Sequence, residues 1–172
     1  MRRLILSALC LFSGLVTFAQ YEKFDELAQH ITQGDRISLE FSVGFEGNQG
    51  SIAEGSLTLQ GTCYCATAAG MRIIGDGKTQ WTVDDAGQEI YIEDGGQLSS
   101  LLSNPRVIRN SLSCLSSTYN SLSGIFTTGK NGSTRLRFQL KDIRYAKYSD
   151  NPGEFCVDCS EYPEPWVITD LR

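Results

Sequence analysis

Residues 37–45 constrain the fold more than any other stretch: Ile37, Leu39, Phe41, Val43 and Phe45 alternate with Ser38, Glu40, Ser42 and Gly44. A period of two puts every apolar side chain of such a segment on one face of a strand, so the chain must build a sheet with a buried face and a wet one. The run before it has the other period. In "YEKFDELAQHITQ", residues 21–33, Tyr21, Phe24, Leu27, Ala28 and Ile31 recur at helical spacing, with Glu22, Lys23, Asp25, Glu26 and Gln29 elsewhere on the wheel, and Gly34 ends the pattern. An amphipathic helix therefore feeds directly into a long half-buried strand.

Alternation resumes after the loop "EGNQG". Leu57 and Leu59 against Ser56, Thr58 and Gln60 read as the hairpin partner of the first strand. Met71 to Ile74 is a short strand, Asp76-Gly77 a tight turn suited to positive φ, and Thr79 to Val83 the returning strand, with Trp81 at its centre. A turn at Ala86-Gly87 leads to "QEIYIED", in which Ile90 and Ile92 share a face. The meander then breaks. In "GGQLSSLLSNP", Leu98, Leu101 and Leu102 have helical spacing and Pro105 closes the segment, which predicts a short apolar helix. Residues 106–121 are Ser-rich and ambiguous, and strands are expected again at Ile125–Thr127, Leu136–Leu140, Ile143–Tyr148, Glu154–Val157 and Trp166–Thr169. This order gives an α+β fold, mainly antiparallel β, with the sheet rolled around a helix or a pocket.

Residues 1–19 do not belong to that domain. Arg2 and Arg3 precede a mostly apolar run from Leu4 to Phe18, and Thr17 and Ala19 supply the small residues at −3 and −1 of a cleavage site before Gln20. This is the pattern of a secretory signal peptide, shorter than the ~20 residues of a membrane span. Leu9 before Cys10 argues against lipid attachment there. Residues 20–172 then form a single domain with 13 basic against 20 acidic side chains, a net charge of −7. Such a surface repels phosphate backbones and argues against nucleic acid. Arg135, Arg137, Lys141 and Arg144 read as the solvated face of strands.

Five cysteines remain after cleavage: Cys63, Cys65, Cys114, Cys156 and Cys159. Disulfides are the commoner use in an exported chain, while Cys-x-Cys and Cys-x-x-Cys together match the four thiolates of a structural zinc site, and buried thiols are the third reading. Catalytic sets are harder to assemble. His30 is the single histidine and lies in the first helix among polar neighbours, so Ser-His-Asp and Cys-His schemes have little to stand on. Asp84-Asp85 and Glu93-Asp94 are sequence neighbours, which point to opposite faces of a strand. "GDGKT" lacks both the spacing and the following helix of a phosphate loop. No enzyme activity, metal or cofactor is expected.

The apolar side chains of the strands are therefore the main feature. Leu39, Phe41, Val43, Phe45, Leu57, Leu59, Met71, Ile73, Trp81, Ile90, Ile92, Phe126 and Phe138 are expected to line one face, with Leu98, Leu101 and Leu102 closing over it as a lid. The same residues would serve as an ordinary core.

Two stretches resemble a known family. "EGSLTLQG" followed by "MRIIGDGKTQWTVDDAGQEIYI", and the ending "FCVDCSEYPEPWVITDLR", are similar to the periplasmic outer-membrane lipoprotein carriers (LolA-like), over roughly residues 21–93 and 134–172. The resemblance implies a half-open β-barrel wrapped around the N-terminal amphipathic helix, with a short apolar lid helix. It implies a monomeric periplasmic chaperone that shields the acyl chains of lipoproteins, or of another amphiphilic lipid. An inner-membrane donor complex and an outer-membrane acceptor would be its partners. The basic residue that holds the lid of such carriers has no counterpart in "GTCYCATAAG", and Gly95 to Lys130 is short. A sensor module on the same fold and a cysteine-based metal or redox protein are the alternatives.

Overall fold

The computed structural model describes residues 23–47, 50–95, 112–118, 120–128, 134–148 and 152–172. The expected signal peptide, the lid residues Leu98, Leu101 and Leu102, and the side chain of Phe126 lie outside the described residues. Helix α1 (23–33) ends at Gly34, whose positive φ of 75° is the usual helix stop.

Ten strands follow: β1 (Arg36–Phe45), β2 (Ala53–Gln60), β3 (Cys63–Ala68), β4 (Met71–Gly75), β5 (Thr79–Asp84), β6 (Glu89–Asp94), β7 (Leu112–Thr118), β8 (Ser121–Thr128), β9 (Thr134–Ala146) and β10 (Val167–Asp170). They form one sheet in the order β10-β6-β5-β4-β3-β2-β1-β9-β8-β7, with β10 and β7 as its two edges, so the sheet is unclosed. Every neighbouring pair is antiparallel except β10 with β6.

Two strands form where the sequence gives no clear expectation, and two expected strands are corrected. Cys63–Ala68 is a strand although "CYCATA" has no bulky apolar alternation, and Ser-rich residues 112–118 form β7 in a hairpin with β8. Ile143 does not begin a new strand, because β9 runs unbroken from Thr134 to Ala146. Glu154 lies in a 3₁₀ turn (Pro152–Phe155) and Val157 in irregular chain. The last strand pairs in parallel, which requires a long crossover; residues 152–166 supply its end.

Two hydrophobic cores result. The first joins Phe24 and Leu27 of α1 to Ile37, Leu39, Leu59, Tyr64, Leu122 and Phe138 of the sheet. The second joins Val83, Ile90 and Ile92 to Trp81, Val157, Cys159, Tyr162 and Trp166. Register shows that these cores occupy opposite faces. Ile37 pairs with Leu59, Leu59 with Tyr64, Tyr64 with Gly75 and Gly75 with Gln80, so the α1 face continues across β5 through Gln80 and Thr82. Trp81 and Val83 alternate with those residues and point the other way.

The switch occurs at β4. There Ile73 shares the α1 face while its neighbour Ile74, buried, joins the other. Tyr64 spans the junction: it is fully buried, its ring occupies the space a β-carbon at Gly75 would need, and its hydroxyl donates to Gln80 Oε1 at 2.7 Å.

Candidate ligand-binding face

On the α1 side, cross-strand partners line up in transverse rows. The innermost row is Ile37-Leu59-Tyr64, all buried; the next is Leu39-Leu57-Ala66-Ile73; the third is Phe41-Gly55-Ala68-Met71; beyond it lie Val43-Ala53 and finally Phe45. Exposure rises along this series. Leu39 is buried, Phe41, Val43 and Leu57 are half-buried, and Ile73, Met71 and Phe45 are 37, 39 and 47% exposed. Helix α1 covers only the inner rows.

The outer rows have a distinct relief. Ala53, Gly55, Ala66 and Ala68 carry at most a methyl group, and they lie between Phe41 and Val43 on one side and Met71 and Ile73 on the other. Bulky apolar walls around a low floor make a shallow greasy trough. Its far border is polar, because the partners of Met71 and Ile73 on β5 are Asp84 and Thr82. An apolar surface left open within a polar rim is the usual mark of an interaction site.

The structure therefore divides the residues expected to line one cavity. Phe41, Val43, Phe45, Leu57, Met71 and Ile73 border the trough, while Leu39, Leu59 and Phe138 are buried in the first core beneath or beside α1. Trp81, Ile90 and Ile92 lie on the opposite face and pack under the C-terminal segment. Their expected place beside Phe41 and Met71 is thus corrected: periodicity puts Ile90 and Ile92 on one face, and the packing of the C-terminal segment decides which face it is.

The Asp76-Gly77 turn forms as expected. Asp76 Oδ1 accepts from the backbone N–H groups of Lys78 and Thr79 at 2.8 and 2.7 Å, and Gly77 takes a φ of +92° that favours glycine. This hairpin carries Met71 and Ile73 to the trough and Trp81 to the second core.

The opposite face is tied down by its own contacts. One Arg36 nitrogen, Nη2, donates to both carboxylate oxygens of Glu154 at 2.6 and 2.7 Å, and the guanidinium lies 5.8 Å from the centroid of the buried Phe155 ring. Arg72 donates to Asp85 and, at 3.1 Å, to the Tyr162 hydroxyl, whose ring meets Trp166 edge-on. A polar cleft of about 360 Å³ also opens there, lined by Glu40, Phe41, Ser42, Glu54, Gly55, Ser56 and Lys141. The charged and hydroxyl side chains of that lining alternate with the trough residues, so the cleft does not communicate with the trough through the hydrogen-bonded sheet.

The described cysteines are not assembled into a centre; the side chain of Cys114 lies outside the described residues. Cys63, Cys65, Cys156 and Cys159 are free thiols, and among the described residues no three His, Cys, Asp or Glu side chains are gathered to hold a metal. Burial and the nearby Glu154 push the Cys65 thiol up, partly offset by Arg72, and burial and Asp76 do the same to Cys63. Both changes reduce the thiolate that metal binding and redox exchange require. His30 is a packing residue rather than a free surface group: it stacks on Tyr145 with centroids 3.9 Å apart, and its Nδ1 lies 2.6 Å from Asp35 Oδ2.

Compared with protein-family models and with curated proteins, the chain matches none.

Proposed function

We propose that the chain is a periplasmic carrier that shields the acyl chains of a lipoprotein, or of a similar amphiphile, on the trough bordered by Phe41, Val43, Phe45, Leu57, Met71 and Ile73. In this reading the unclosed sheet is a half-open barrel curled about α1, Leu98, Leu101 and Leu102 form a short lid helix, and the signal peptide is removed near Ala19-Gln20. The observation that carries it is the exposure gradient: the apolar face continues well past the helix that covers its inner end. The quoted resemblance to lipoprotein carriers points the same way.

The energetics suit a carrier. Each methylene removed from water contributes about 0.8 kcal/mol, so even partial cover of several acyl chains outweighs the loss of a few solvent contacts. A floor of alanine and glycine imposes little shape and accepts chains in more than one register, which favours release as well as capture. No bond is made or broken.

Native mass spectrometry with a triacylated lipopeptide and its unacylated counterpart tests the reading. Selective retention of the acylated form, lost in a folded Phe41→Asp or Met71→Asp variant, is the expected result. Equal retention of both peptides, or of neither, rejects the carrier.

A further inference from the structure

Charge is distributed as unevenly as apolar surface. Residues 71–95 and 152–172 together hold eleven Asp and Glu against three Lys and Arg, whereas Arg135, Arg137, Lys141, Arg144 and Lys147 crowd into β9 and the residue after it. The β9 cations share one face. Gly44, Ser42, Glu40 and Ser38 of β1 pair with Arg137, Gln139, Lys141 and Arg144, on the side opposite the trough.

Lys141 and Arg144 are three residues apart, a separation that in a regular strand would place them on opposite faces. The register shift between Ser38 and Glu40 removes that difference. Asp142, at a left-handed φ of 50°, is the extra residue of a β-bulge, and its carboxylate accepts from Asn120 Nδ2 at 3.2 Å. The bulge keeps Ile143 and Tyr145 packed against the α1 core and returns Arg144 to the basic face.

All four β9 cations are exposed, and Arg135 pairs with Glu46 at 2.9 Å. Arg137, Lys141 and Arg144 make no ion pair among the described residues. Ser38, Ser42, Ser121 and Ser123 flank them by register, and Glu40 and Glu54 bound the stripe on the β2 side. An exposed aromatic ring, Tyr148 at 66% exposure, stands just past the end of β9.

We propose that this face docks the protein on an anionic phospholipid surface, with the β9 cations on headgroup phosphates and Tyr148 at headgroup depth. Cations spread along a strand, about 7 Å apart at Arg135 and Arg137 and about 13 Å from Arg137 to Lys141, suit a two-dimensional array of phosphates better than a single anion held in a cavity. The acidic β5, β6 and C-terminal side is repelled, which fixes the orientation with β9 toward the membrane. The proposal goes beyond acyl binding, which uses the other face.

Co-sedimentation with vesicles of phosphatidylcholine, alone or mixed with phosphatidylglycerol, tests it. The chain is expected on the mixed vesicles only, with binding that falls as salt is added. Reversal of Arg137, Lys141 and Arg144 to Glu should lower partition on the order of a hundredfold, from about fivefold for each cation at the surface. The corresponding triple Gln variant, milder toward folding, should also lose most binding, whereas Lys78→Glu in the distant β4–β5 turn should change it by less than about twofold because its field is screened.

Equal partition to both vesicle types overturns the proposal. So does parent-like binding by either folded triple variant, or a loss for Lys78→Glu as large as for the triple. Lipopeptide retention measured without vesicles stays intact in the triple variants if the carrier reading holds, so the two proposals fail separately.

Discussion

The two cores of this sheet are closed by different means. The first is covered by α1, which immediately precedes β1 in the chain, so helix and first strand can pack as soon as both form. The second waits for Val157, Cys159, Tyr162 and Trp166, which come about seventy residues after the β6 side chains they cover. That distant segment is held by the Arg36–Glu154 pair, by Arg72 and by the parallel addition of β10. The helix-covered face continues outward as exposed apolar surface, whereas Val83, Ile90 and Ile92 of the other core are buried under half-buried side chains of the C-terminal segment. Under the carrier proposal, the first face takes the ligand and the second has a structural role.

Removing the fully buried tyrosine that extends the first core over β4 and β5 should have the largest effect. Tyr64→Ala empties a fully buried site and leaves Gln80 without its donor, so it should cost about 4 kcal/mol in urea unfolding. Ile90→Ala, confined to the second core, should cost about 3 kcal/mol and leave lipopeptide retention unchanged in the folded fraction. Loss of retention there would break the division of roles. Glu154→Gln should cost about 1 kcal/mol, less in high salt, and should change tryptophan emission, since both tryptophans, Trp81 and Trp166, belong to the second core.

Smaller still, Ile73→Thr in the trough should alter stability by no more than about 0.5 kcal/mol while lowering retention of the acylated peptide. The last prediction is confined to alkaline pH. Burial, and secondarily Glu26, push the Tyr145 hydroxyl up to about 12, against about 10 in the unfolded chain. The folded state then holds this proton longer, so the associated stability is whole below pH ~10 and is lost as pH rises toward ~12. Tyr145→Phe should flatten that part of an alkaline denaturation profile.

Much of the local structure was legible because it depends on neighbouring residues. The alternation of Ile37 to Phe45, the Gly34 stop and the Asp76-Gly77 turn all follow from local periodicity or backbone preference. β3 was hidden because its pairing uses alanines, cysteines and one tyrosine rather than bulky alternation. The side on which Ile90 and Ile92 are buried depends on what packs there, and that segment arrives from the far end of the chain. The adjacent pair Ile73-Ile74 was the available signal: two consecutive apolar residues in a short strand are wanted where a sheet changes its buried face. The basic stripe was visible as residues, but its phase depends on the bulge at Asp142.

The division of the two faces is tested most directly by titrating the chain with a triacylated lipopeptide whose acyl chains carry bromine, a contact quencher of tryptophan. Retention is read by native mass spectrometry and tryptophan emission in parallel. The account predicts retention with emission close to that seen with the unbrominated peptide, because Trp81 and Trp166 lie across the sheet from the trough. Retention with strong quenching would place the acyl chains on the Trp81 face and contradict it.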